Sequence, residues 1–328
     1  TAEGAVLGLY SMLYGSTSNH DYFGQKSIDI ATDILSGDMA MTANAYGWFT
    51  DSEQQQCASM TAGRNSYIWS YYYTIILNAN QAIRTFVALE DNRTADQSAA
   101  LAQSLTMRAY CYFNLAHLYS PGLTDTESKD YFLGNTGLDY LCVPVYNENS
   151  EINEETGLTV EQQVVSTSTV YGQVISDLTW AVALFEETGF QRSSKLYVDK
   201  DIANAYLAYT YLQSQQYDSA YAAAKRVIDA GNFEMLPYED LTTTGFTDQN
   251  NPSWMWGLDV TIENTTALAS FWGHMDIHTY SYAFAGAWKA MDDELAKTIP
   301  ETDGRYKWFD AKKKYVPDWK FYDKARGV

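Results

Sequence analysis

Apolar residues recurring at helical spacing dominate the sequence. Over residues 64–89, Ile68, Tyr72, Ile75, Ile76, Ala79, Ile83 and Phe86 recur at steps of three and four, which lines them along one stripe of a long helix. Leu101, Leu105, Ala109, Tyr112, Leu115 and Leu118 repeat the pattern over 94–119 until Pro121-Gly122 stops it, and two such helices joined by a few residues form an antiparallel pair. Helical spacing returns at Val170, Val174, Leu178, Ala181 and Phe185, with Thr167 or Ser168 as N-cap and Gly189 as the stop. Trp69 and Trp180 lie inside these helices and are expected in the core. A chain patterned in this way is committed to a mainly α fold.

Residues 201–231 read as two helices of about 14 residues around a polar turn at 214–216. Leu207, Ala208, Tyr211, Tyr217 and Ala220 fall at the intervals of a tetratricopeptide repeat, in which the small Ala208 lets the second helix approach at Ala220; Ala224 and Asn232 depart from that pattern. Segments 94–119 and 170–185 fit a degenerate repeat carrying a long insertion, 120–166, which is long enough to be functional or mobile. From Phe233 the pattern changes. Asn251-Pro252 punctuates, 253–260 alternates like a short strand with Trp254 and Trp256 on one face, and the remainder, through Trp272, Tyr280, Tyr282, Trp288, Trp308 and Trp319, is irregular and aromatic. The expected architecture is a single domain over 1–328, mainly α. Tetratricopeptide-like helical pairs make a scaffold over 60–232, and an irregular, aromatic-rich C-terminal region with short strands, 233–328, packs on it.

Charge removes several functions. Asp plus Glu total 41 against 21 Lys plus Arg, a net charge of -20, and the only basic cluster is Lys312, Lys313 and Lys314. Nucleic acid and anionic lipid need phosphates neutralised by a basic face, so both are set aside. No window approaches the ~20 apolar residues that cross a bilayer as a helix. Three cysteines, Cys57, Cys111 and Cys142, argue against a disulfide framework, and Cys111 on its apolar stretch belongs to the core. The chain begins with neither Met nor a signal peptide nor an acyl-anchor signal, and reads as a processed or trimmed product.

Catalytic motifs are missing: there is no GxSxG, no Gly-rich phosphate loop and no HExxH, and histidines number four. His274 and His278 share a face only if helical, which Gly273 and Thr279 oppose, so neither a metal nor a cofactor is expected. Paired carboxylates carry no signal in a chain with 41 acids. Aromatic platforms are more specific. A sugar ring lays its C–H face on Trp or Tyr while its hydroxyls bond to polar side chains, and aromatics make up 15% of this chain. Candidates outside the periodic helices are Trp48 with Asn44 and Tyr46, and Trp272 with Tyr280 and Tyr282.

The order of motifs resembles the SusD/RagB family of outer-membrane nutrient-binding lipoproteins of Bacteroidetes. The helix from Ile68-Trp69 to Asn80-Gln81-Ala82-Ile83 is similar to one family helix, and 102–122 (AQSLTMRAYCYFNLAHLYSPG) to the next. Segments 171–185, 203–233 and 299–309 (IPETDGRYKWF) follow in family order. Departures are Gly304, where a proline is common, and Trp254-Met255-Trp256, where the strand usually carries Ile-Phe. Family members continue into a further helical segment that 310–328 does not resemble, which implies an N-terminal portion or a shortened member. The resemblance implies a lipid-anchored protein on the outer face of the outer membrane, with a signal peptide on its precursor. Its implied work in polysaccharide utilisation is to bind an oligosaccharide without catalysis and pass it to a SusC-like TonB-dependent transporter. Family glycan sites draw on the loop before the first long helix and on the region after the repeats, which maps onto the residues chosen above. Competing readings are a helical-repeat protein-interaction scaffold and a helical glycoside hydrolase.

Overall fold

In the computed structural model the described residues are 1–59, 63–120, 140–242, 248–261, 268–310, 315–318 and 320–321; Pro121-Gly122, Lys312 to Lys314 and Trp319 lie outside them. The chain groups into two units, Thr1–Tyr10 with Trp69–Asn232, and Ser11–Ile68 with Phe233–Val328.

The first unit is helical: α1 (Ala2–Ser11), α4 (Gly63–Val87, from Trp69 on), α5 (Ala95–Tyr119), α6 (Thr167–Thr188), α7 (Lys200–Gln213) and α8 (Tyr217–Ala230). A capping box in which Thr94 and Gln97 satisfy each other's backbone N–H groups starts α5. From Ser98 to Tyr112 every residue of α5 is buried, so its polar side chains find partners inside. Ser104 and Thr106 donate to the carbonyls of Ala100 and Ala102. Arg108 donates to Asp177 of α6 at 2.8 and 2.6 Å, to Asn80 of α4 at 2.7 Å and to Glu148 at 2.7 Å. Helices α4 and α5 run antiparallel, with Trp69 against Tyr119, Tyr73 against Tyr112 and Asn80 against Arg108.

The expected stripe of α4 is buried throughout, but Trp69 is 36% exposed. It lies beside the stripe, tilted on Tyr73 and edge-on to Tyr119. Trp180 is also only partly buried. Ser166 caps α6, which ends at Gly189 in the left-handed conformation (φ 61°). Helices α7 and α8 each have 14 residues and are divided at 214–216, as the repeat spacing predicts. Arg226 reaches back to Asn204 and Asn232 to Asp201 across the pair. Within the expected insertion, β2 (Leu141–Pro144) and β3 (Val164–Ser166) pair antiparallel.

The second unit holds α2 (Gln25–Ser36), β1 (Ala40–Met41), the single turn α3 (Thr50–Glu53), α9 (Phe271–Met275), β4 (Lys289–Ala290), α10 (Asp293–Thr298), β5 (Phe309–Asp310) and β6 (Val316–Pro317). Strand β1 pairs with β4, Ala40 opposite Ala290, and β5 pairs with β6. Phe23, Ile30, Ala31, Ile34, Phe49 and Met275 form a core. Gly24 is required where it stands: φ is 80° and a Cβ would lie 2.2 Å from the Leu13 carbonyl oxygen. The strand expected over 253–260 is absent. Asn251 instead accepts from the Ser253 N–H and hydroxyl, and its carbonyl accepts from Trp254, so a turn takes up the residues that would have begun the strand. Gly304 also has a structural reason, since a side chain there would meet Tyr238 at 2.9 Å and Leu241 at 3.0 Å.

Candidate functional site

All six sequence candidates lie in the second unit, Asn44, Tyr46 and Trp48 on one loop, Trp272 on α9 and Tyr280 and Tyr282 in the irregular stretch after it. In the loop, Asn44 donates to Thr50 and to Glu53, both at 2.9 Å, and Thr50 donates to the Gly47 carbonyl. Asn44 therefore ties the loop. Gly47 (φ 75°) and Phe49 (φ 60°) adopt the left-handed conformation on either side of Trp48; for Phe49 this is strained, and it fixes where the indole points.

The irregular stretch brings Tyr282 to that loop. Its ring centroid lies 4.9 Å from Tyr46, 5.9 Å from Trp48 and 5.1 Å from His274. Tyr46 is half exposed, at 50%, whereas Tyr282 is buried. Trp48 packs partly on the Phe23–Met275 core, and its Nε1 is buried with no hydrogen-bond partner. Trp272 is partly buried, edge-on to Phe271 and Phe321, and Tyr280 is exposed. Thus Tyr46, Trp48 and Tyr282 come together.

Sequence reasoning missed His20. Its imidazole stacks on Trp48 at 5.1 Å and 13°, and its Nδ1 lies 2.6 Å from the Tyr282 hydroxyl. It also missed a buried charged layer. Arg64 donates to the Asp21 carboxylate at 2.7 Å and to Asp51 at 3.2 Å, and its guanidinium lies 4.8 Å from the Phe49 ring. Asp21 also accepts from the Phe49 N–H. Lys289 lies 5.2 Å from the same ring and donates to His274 Nδ1 at 3.4 Å, while His274 Nε2 donates to the His20 carbonyl at 2.8 Å. Burial, helped by the Lys289 charge, pushes His274 down to about 3, so the ring is neutral. Burial lowers the Lys289 amine to about 8 against the opposite pull of Asp21. A lysine inside Ala287-Trp288-Lys289-Ala290 was the one legible signal for this layer.

His274 falls on a helix despite Gly273, but His278 lies beyond its end and pairs with Asp318 at 2.5 Å, so the two rings do not converge on a metal. Among the described residues no three His, Cys, Asp or Glu side chains gather as a metal site would need. The arrangement supplies aromatic faces and a few directed polar groups.

The sequence profile of the SusD-like family, described as starch-binding and associating with the outer membrane, matches residues 10–212. The chain belongs to the SusD-like family. A SusD-like carbohydrate-binding protein of Bacteroides vulgatus superposes with a TM-score of 0.77 at 23% identity, over 94% of this chain and 60% of that one. A SusD superfamily protein of Bacteroides thetaiotaomicron gives 0.69 at 16% identity, over 97% and 68%. A protein solved with a xylogluco-oligosaccharide gives 0.54 at 19% identity, over 78% and 45%. The chain thus spans about 60% of the length of the Bacteroides vulgatus SusD-like relative. No curated protein sequence matches it. The mainly helical SusD-like fold agrees with the sequence expectation, and among the described residues no helix is long and apolar enough to cross a membrane.

Proposed function

We propose that this chain binds an oligosaccharide without transforming it, as part of a lipid-anchored protein on the outer face of the outer membrane that delivers its ligand to a SusC-like TonB-dependent transporter. The observation that carries the reading is the ring cluster of Tyr46, Trp48 and Tyr282, drawn from distant parts of the sequence, with Tyr46 half exposed. Aromatic faces beside hydroxyl and imidazole groups suit the alternating C–H and O–H surface of a sugar. Trp272 and Tyr280 extend the proposed surface, and Asn44 supports its loop. Family membership and the neighbour solved with a xylogluco-oligosaccharide support the ligand class. On α8, Tyr217, Tyr221 and Ile228 are exposed along one face, which supports the repeat pair as the transporter-facing surface.

Titration calorimetry with maltoheptaose, a xylogluco-oligosaccharide and other neutral oligosaccharides, with product analysis, tests the reading. Binding without product supports it, product favours a hydrolase, and silence favours a scaffold. Tyr46→Ala should weaken binding several fold at an unchanged melting temperature, since stacking contributes about 0.5–1.5 kcal/mol beyond area burial. Trp48→Ala should lower affinity and stability together, because Trp48 also packs on the core.

A further inference from the structure

We propose that His20 is a ligand-contacting residue of this site: its Nε2–H donates to a sugar hydroxyl from a ring held flat on Trp48. The inference rests on the carbohydrate reading above. The Tyr282 hydroxyl lies 2.6 Å from His20 Nδ1, and when it donates to that nitrogen the ring carries a proton on Nε2. His20 is partly exposed, and its Nε2 makes no hydrogen bond to a described residue. The Trp48 Nε1, by contrast, is both buried and unpartnered, so the indole does not offer its N–H to a ligand arriving from solvent. His20 supplies the donor that Trp48 withholds, and Tyr46, the exposed ring, packs on the same Tyr282.

The ring is held from both sides. Its backbone carbonyl accepts from the buried His274, and the next residue, Asp21, is clamped by Arg64 and the Phe49 N–H. Its stacking partner stands between two left-handed residues, Gly47 and Phe49. Holding a polar ring this firmly while leaving one nitrogen free is how a recognition group is pre-organised.

The test uses the full chain labelled with 15N at histidine, titrated with maltoheptaose and with a xylogluco-oligosaccharide. The His20 Nε2 resonance should shift on saturation while those of His274 stay in place, and the free spectrum should show the Nε2–H tautomer. His20→Phe, which keeps a flat ring on Trp48, should weaken binding roughly tenfold. Binding by the parent with an unmoved His20 resonance, or equal affinity for His20→Phe, overturns this inference and leaves the carbohydrate reading standing. No binding by the parent overturns both. If His20→Phe does not fold, the titration of the parent decides alone.

Discussion

His274 shows how one side chain links stability to pH. Its imidazole is buried, donates to the His20 carbonyl, accepts from Lys289 and stacks on Phe23. Folded, it titrates at about 3 instead of the ordinary 6.5. Between those values the unfolded chain binds a proton that the folded chain refuses, so stability falls as pH drops through that window, by at most about 1.4 kcal/mol per unit. His274→Gln should flatten the acid limb of a melting-temperature profile relative to the parent; parallel profiles would mean that the ring protonates in place. Lys289 acts at the other end: above about 8 the folded amine has lost its proton while the unfolded one keeps it, so stability gains there until tyrosines begin to ionise. Trp69 is a second residue-scale case. It is 36% exposed, so Trp69→Ala should cost about 1–2 kcal/mol, below the ~3–5 of a fully buried large aromatic. Thermal melts separate the two.

At the scale of elements, Arg108 holds the helical unit together. It is 1% exposed and reaches α4 through Asn80, α6 through Asp177, and Glu148 beyond β2. Removing one partner of a buried ion pair costs about 3–5 kcal/mol because a desolvated charge is left behind. Arg108→Met should therefore lower stability by that amount, and adding Asp177→Asn should recover part of it; an additive double variant in chemical denaturation would show that the pair is not coupled. Periodicity reveals elements and not these ties. The α7–α8 pair was readable, with its start off by one residue, because its stripe, its turn and Gly231 agree, whereas the strand at 253–260 was not, because Asn251 side-chain bonds outcompete a weak alternation. In the same pair Ala208 of α7 is only partly buried, while Ala220 and Ala223 of α8 are buried.

For the whole chain, the site was legible in proportion to how local its signals are. Tyr46 and Trp48 stand out because they are aromatics in a polar loop, and Tyr282 because its region is dense in rings. His20 does not stand out, since its meaning comes from a stacking partner 28 positions away and a hydroxyl 262 positions away. Charge, by contrast, is legible from composition alone and makes its own prediction. The net charge is -20, and the cations of the site layer do not offset it at the surface: Arg64 is 0% exposed and held by Asp21 and Asp51, and Lys289 is 2% exposed. An uncharged oligosaccharide feels none of this field, while a polyanion meets repulsion that salt screens over a Debye length of about 8 Å at physiological ionic strength. Affinity for a neutral glycan should thus change by less than about twofold between roughly 50 and 500 mM salt, while any association with polygalacturonate should be weak and should strengthen as salt is added. Titration of both ligands across that range checks it. Polygalacturonate binding that is tight at low salt and lost at high salt would mean that a cationic surface faces the ligand, which the burial of Arg64 and Lys289 argues against.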